Sequence, residues 1–358
     1  MAAELVAPPA PSRHPLGQPR SAQLAAGRVA RGARAWLAVT VTLTLASAVA
    51  AVGLAPRADA PASEGLAFLL FAGSSVHVAS TAWFYTVPGV RAHMGRRRSR
   101  YLWLPLALIS GASAISMLVP RSLLYWLLLP YFGWQFFHYQ KQNLGIAALA
   151  AASHHLQPLR RSERRALVAA GLAGIAGLLT RPSLLQLPIR PVLPILVPLA
   201  AIAFAASVVA GLGSLTRRSR AERPAGFCAI YVTSLAFSLP VFLFSSPYAA
   251  VAGLTIAHGL QYLVLMGLLA AGGETGGRRI VQLAALFNIA LLGGAALAVA
   301  SDQLTGRPLV RGLFGLFLGA VMAHFVIDAG LWRMRDQFPR AFLGARLPYL
   351  VPATGRHP

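Results

Sequence analysis

Charge is scarce in this chain. Only 11% of its 358 residues are Asp, Glu, Lys or Arg, against 56% hydrophobic ones, and the mean hydropathy is +0.62. A soluble domain carries about a quarter charged residues. A soluble globular fold is therefore excluded, and the expected class is an all-α, polytopic integral membrane bundle. Short alternating apolar segments are missing too, which excludes a transmembrane β-barrel. Cysteine is nearly absent: Cys228 is the single one, so neither an intrachain disulfide nor a cysteine-ligated cluster can form. Acidic residues number nine, and only Asp328 falls within an apolar segment. That is too few for a carboxylate-bridged dinuclear centre. The net charge of +23 is almost all arginine, with Lys141 the only lysine. These arginines cluster between apolar segments, as the positive-inside bias predicts, so nucleic acid is not an expected partner.

What is abundant is long apolar sequence. Ten segments can be marked: Trp36 to Leu54, Leu66 to Thr86, Tyr101 to Leu118, Leu123 past Pro130 to His138 and beyond, Ala166 to Thr180, Val192 to Leu212, Gly226 to Phe244, Tyr248 to Ala270, Ile280 to Ala300 and Leu309 to Trp332. With the N-terminus inside, arginine clusters at 91–100, 160–165, 217–223, 278–279 and 333–356 all fall on one side, and the opposite connections hold few. This alternation predicts ten spans with both termini cytoplasmic. The domain reading is a disordered basic cytoplasmic tail over 1–34, a ten-helix membrane domain over 35–334, and a cytoplasmic tail over 335–358. The proline-rich start lacks a signal-peptide pattern. The expected location is a multi-pass protein of a bacterial inner (plasma) membrane.

Four histidines lie inside these segments: His77, His138, His258 and His324. An ionisable side chain at membrane depth is costly and ordinarily faces a bundle interior, where it has work to do. In the ten-span topology the four segments run in the same direction. His77 and His258 lie about eleven residues into theirs and His138 and His324 about sixteen, a depth difference of roughly 7–8 Å at 1.5 Å per residue. Helix tilt and the Pro130 kink can absorb most of that. Asp328 follows His324 by four residues and so shares its helical face. It can ligate a cation, orient the imidazole, or pair with Arg333 or Arg335 at the cytoplasmic end. Gln135, His138 and Gln142 form one polar stripe that should avoid lipid, unless the helix has reached the interface there, with Tyr139 and Lys141 as anchors. His258 shares a face with Gln261 and Tyr262, and His77 with Ser80 and Thr81.

Neutral imidazole suits iron, copper, zinc and nickel. Three or four histidines with one carboxylate make a plausible mononuclear non-haem iron set. The expected metal ligands are His77, His138, His258 and His324. Asp328 is expected to orient His324 or complete the shell, and Gln135, Gln261 and Tyr262 to line the cavity; Asp328, Tyr262 and Gln135 are the candidate catalytic residues. Iron is the expected cofactor. Bis-histidine haem fits less well, since it leaves two histidines unexplained. A desaturase-type site would need several close histidine pairs, and His154–His155 stands alone. His14, His93 and His357 lie in tails or loops and receive no role. The partner expected is a membrane lipid or lipid-soluble small molecule. Two other functions share these residues: a proton- or cation-coupled transporter, and a non-catalytic scaffold whose histidines bond helices together.

The segments Val76-His77-Val78 and Ala323-His324-Phe325-Val326-Ile327-Asp328 resemble pieces of the Brp/Blh family of bacterial membrane oxygenases that cleave β-carotene. The His-x-x-x-Asp spacing near the last helix is the closest similarity. The family's early Pro-His-Gly-type motif and its His-Ser-Arg-Arg-His-type segment have no counterparts. His138 in Phe137-His138-Tyr139 and His258 in Ala257-His258-Gly259 would fill those roles. The resemblance implies iron, dioxygen and an apolar lipid or carotenoid substrate.

Overall fold

The computed structural model describes residues 20–56, 62–190 and 195–351, with side chains from residue 31 onward. Those residues contain no strand. In chain order the helices are α1 (Arg20–Gly53), α2 (Glu64–Thr86), α3 (Pro88–Gly95), α4 (Ser99–Leu118), α5 (Arg121–Ser153), α6 (Arg161–Leu179), α7 (Leu196–Thr216), α8 (Ala225–Leu235), α9 (Leu239–Leu243), α10 (Tyr248–Ala271), α11 (Gly276–Thr305), α12 (Pro308–Leu331) and α13 (Gln337–Arg346). Three of them, α2, α4 and α10, include a π-turn.

Seven helices are long and apolar enough to cross a bilayer: α1, α2, α4, α7, α10, α11 and α12. They mark the chain as an integral membrane protein. Their outer faces agree, since Val49, Leu118, Val209, Leu292 and Leu309 are each at least 70% exposed. The remaining sequence-marked spans fall in α5, α6 and the α8–α9 pair, and each falls short for a visible reason. The 33 residues of α5 carry the polar run from Gln135 to Asn143. The 19 residues of α6 begin Arg161-Ser162-Glu163-Arg164-Arg165, leaving a short apolar remainder. The chain breaks between α8 and α9, with Pro240 at the start of α9, where it has no amide hydrogen to continue a helix.

The termini are more structured than composition suggests. Residues 20–34 belong to α1; residues 1–19 lie outside the described residues. The segment from 335 contains α13, whose Leu343 packs into the core with Leu347 and Leu350; residues 352–358 lie outside the description.

Polar contacts between connections all join loops that the charge alternation puts on one side. Arg97 pairs with Asp336 at 3.7 Å, Arg160 with Glu222 at 3.2 Å, and Arg346 with Glu274 at 3.3 Å. Arg218 donates to both carboxylate oxygens of Glu163, at 2.6 and 2.8 Å. On the other side, Arg121 donates to the Thr305 carbonyl at 2.8 Å.

Small residues let key helices touch backbone to backbone, the usual basis of association where lipid removes the hydrophobic drive. Along α12, a Cβ on Gly315 or Gly319 would run into the α4 backbone at Ala112 or Ile109. The α2–α10 crossing is built the same way. A Cβ on Gly73 would sit 2.6 Å from Ile256 Cα, and one on Gly259 would strike the Gly73 carbonyl. Gly259 is the neighbour of His258, and Gly73 lies one turn before His77, so this crossing brings two of the four histidines together. Gly259→Ala is expected to cost about 1–3 kcal/mol of stability through overpacking and to separate those rings. Thermal unfolding in detergent checks this; an unchanged midpoint would show that the crossing tolerates the methyl.

Candidate metal centre

Each of the four histidines comes from a different helix: His77 from α2, His138 from α5, His258 from α10 and His324 from α12. They meet. Ring centroids of His77 and His258, of His77 and His324, and of His138 and His324 are 5.0 Å apart, and those of His138 and His258 are 5.1 Å apart. The imidazoles thus form a closed four-membered circuit. Counting residues from the start of α5 overstates the depth of His138. At 33 residues, α5 is about 50 Å long, well beyond a bilayer core of about 30 Å.

Two groups of side chains have donor atoms within 4.8 Å of one another: His77, His258 and His324, and His138, His324 and Asp328. His324 belongs to both. Asp328 does not pair with Arg333 or Arg335. Its Oδ2 lies 3.7 Å from His324 Nε2 and 4.0 Å from His138 Nε2. Its Oδ1 accepts a hydrogen bond from Tyr262 at 2.8 Å.

The Nε2 atoms of all four histidines are buried without a hydrogen-bond partner, and so is Nδ1 of His258. The carbonyls of Gly73 and Ser74, in the π-turn that precedes His77, approach that ring without a bond of normal geometry to Nδ1. A buried polar atom left unpaired costs about 1–3 kcal/mol. Four such atoms on rings whose neighbours lie 5.0–5.1 Å apart are an unusual concentration of unmet polar groups. The donor set therefore fits a cation: imidazole nitrogens with one carboxylate oxygen, the ligand types of iron, zinc or copper.

Packing fixes the rings. Tyr139 stacks on His258 at 4.0 Å, and Phe325 stacks on His138 at 4.4 Å. Both aromatic residues are buried. Tyr139 is therefore no interfacial anchor, and only Lys141 is exposed, with its ammonium over the Phe137 ring. Behind the histidines runs a belt of amides. Gln142 donates to the His258 carbonyl and to Gln261 Oε1, and Gln261 donates to Thr44 Oγ1 of α1. Gln261 is spent on this belt, which ties α5, α10 and α1 together, rather than aimed at a cavity. Gln135 lies outside the circuit and donates to the Tyr139 hydroxyl at 2.6 Å.

A cavity of about 190 Å³ adjoins the centre between α2, α5 and α12. Ser74, His77 and Gln135 form part of its wall, with Tyr131 and Tyr139, and the rest is apolar, including Leu128, Phe132, Phe317 and Val321.

Three contributors were given no role at the centre from sequence: Thr81, placed only on the face of His77, Tyr139, read only as an interfacial anchor, and the Gly73–Gly259 crossing. Thr81 Oγ1 lies 2.6 Å from His324 Nδ1 and 3.0 Å from the Tyr262 hydroxyl. Its place one turn after His77 was the available signal. The glycines carried none, because a helix–helix approach is not written in either helix alone. No family model, curated protein or solved structure matches this chain.

Proposed function

We propose that the chain is a ten-span membrane protein holding one metal ion through His77, His138, His258 and His324, and that it is an oxygen-dependent enzyme for an apolar substrate. The observation that carries the metal reading is the circuit of four imidazoles whose buried Nε2 atoms have no protein partner. Asp328 Oδ2, beside two of those atoms, supplies the anionic donor. Ten spans with both termini on the cytoplasmic side are supported by the inter-loop contacts. Each joins connections separated by an even number of crossings. A bacterial inner membrane is the matching location.

Iron is the proposed ion, in keeping with the resemblance to the Brp/Blh oxygenases; it supplies a site for dioxygen and one-electron chemistry when bound. This chain's own residues do the rest. The four imidazoles would hold the ion through ring nitrogens that have no protein partner. Tyr139 and Phe325 lock two of the rings by stacking. Tyr262 holds Asp328 by its Oδ1 and leaves Oδ2 facing the histidines. The apolar cavity of α2, α5 and α12 positions a lipid-soluble molecule against His77 and keeps water out, with the Gln135 amide as a polar contact in its wall. Such a molecule enters from the bilayer, so no aqueous path to the site is required.

Elemental analysis of detergent-purified protein, with oxygen uptake measured on addition of a carotenoid, tests this reading. About one iron per chain and substrate-dependent oxygen consumption are expected. Stoichiometric metal without oxygen uptake would keep the centre and remove the oxygenase. A metal-free chain would remove both and leave a proton path or a scaffold.

A further inference from the structure

We infer that Thr81 is a positioning residue that sets the tautomer of His324, as the middle link of a one-directional hydrogen-bond chain ending at Asp328. The inference rests on the proposed metal centre for its consequence, although the chain itself can be observed without any ion. Four side chains from three helices are involved: Thr81 of α2, Tyr262 of α10, and His324 and Asp328 of α12. The three contacts are His324 Nδ1 to Thr81 Oγ1 at 2.6 Å, Thr81 Oγ1 to the Tyr262 hydroxyl at 3.0 Å, and the Tyr262 hydroxyl to Asp328 Oδ1 at 2.8 Å. All four side chains are buried.

The direction of the chain follows from counting protons. A carboxylate only accepts, so the single phenolic proton of Tyr262 goes to Oδ1. The Tyr262 oxygen then accepts from Thr81, which spends the one hydroxyl proton that Thr81 has. Thr81 Oγ1 is left as an acceptor toward His324 Nδ1. That nitrogen must carry the ring proton. In a neutral imidazole the other nitrogen, Nε2, then holds the lone pair. His324 is the residue shared by both possible donor groups, and its Nε2, 3.7 Å from Asp328 Oδ2, is buried without a partner. The chain therefore keeps the pivotal ligand in the only neutral form that can bind a cation there.

Asp328 consequently acts at two points through its two oxygens. Oδ1 terminates the chain behind the ring, while Oδ2 lies 3.7 Å from the front of the same ring. A histidine ligand ordinarily gives its second N–H to a carboxylate or carbonyl directly. Here the carboxylate sits on the same helix one turn away and cannot reach Nδ1 and the ligand side at once. Thr81 and Tyr262 carry the contact around.

The test is ¹⁵N NMR of histidine-labelled, chelator-treated protein in detergent, paired with calorimetric titration by zinc(II). In the wild type, His324 should show a protonated Nδ1 and a bare Nε2. Thr81→Val keeps shape and β-branching but removes the acceptor. It should move the proton to Nε2 and weaken zinc binding by about 10–100-fold, the size of a lost second-shell partner. Thr81→Ser should restore both. Tyr262→Phe frees the Thr81 proton to donate, so His324 should no longer be held in the Nδ1-protonated form. A wild-type His324 protonated on Nε2, or a Thr81→Val protein that binds zinc as tightly as wild type, overturns the inference. Wild type that binds no zinc yet shows the protonated Nδ1 would sink the metal reading and leave the chain standing.

Discussion

His324→Ala is expected to abolish metal binding, whereas His77→Ala or His138→Ala should each leave a weaker site. The difference follows from geometry. His324 is the one residue common to both sets of donors that converge within 4.8 Å. Without His77, the set of His138, His324 and Asp328 survives. Without His138, the set of His77, His258 and His324 survives. Without His324, each falls to two donors, His77 with His258 and His138 with Asp328, and no set of three within 4.8 Å remains among the described residues. A three-ligand site can hold a metal with one position open; a two-ligand site inside an apolar bundle offers little to replace the ion's hydration. The loss in His324→Ala should therefore exceed the roughly 10–100-fold typical of a second-shell change. Titration with zinc(II) across the three variants checks this. Equal losses in all three would argue for a centre that needs every imidazole at once, and an unaffected His324→Ala protein would place the ion elsewhere.

The second large effect lies away from the histidines. Glu163→Gln is expected to destabilise the protein by about 3 kcal/mol, the lower end of the range for breaking a buried ion pair. Both side chains of the Glu163–Arg218 pair have 0% exposure. The two charge-assisted bonds to Glu163 hold the Arg218 guanidinium above the ordinary arginine value, against the opposing cost of burial. Two carbonyls, of Gln157 and Pro158, take two of its three remaining donors, and Glu163 also accepts from the Arg160 backbone amide at 2.7 Å. Glutamine keeps the shape and loses the charge, which leaves a cation enclosed with dipoles alone. Thermal unfolding in detergent should show the drop, while metal content below the transition should stay at the wild-type level, because the pair does not touch the histidine circuit. A wild-type unfolding midpoint would mean that water or a neighbouring carboxylate reaches Arg218.

How legible was this molecule in its sequence? The helical class and the membrane were plain, since apolar runs such as Tyr248 to Ala270 admit no other solvent. The four histidines were identifiable because each breaks the apolar rule of its own segment, and Asp328 because it alone of the acids does so. Convergence was not legible. It depends on Gly73 meeting Gly259 and on Gly315 and Gly319 admitting the α4 backbone. A glycine in a membrane helix gives no hint of which neighbour will use it. The division of labour among polar residues was hidden for a similar reason. Gln261 and Tyr262 are adjacent on α10, yet one is drawn into an amide belt reaching Thr44 and the other into a bond with Asp328. The helical wheel placed both on one face. Only the positions of α1 and α12 separate their roles. Likewise, Glu163 and Arg218 stood in two arginine clusters that the charge count assigned to one side of the membrane. Counting could not show that one acid in the first cluster encloses an arginine of the second.

X-ray absorption at the metal edge of the loaded protein tests the central claim most directly. The account predicts a shell of nitrogen or oxygen donors at about 2.0–2.2 Å together with the outer-shell scattering of several imidazole rings, both lost in His324→Ala. A shell of oxygens without imidazole scattering, or a protein that acquires no metal under any loading condition, would contradict it.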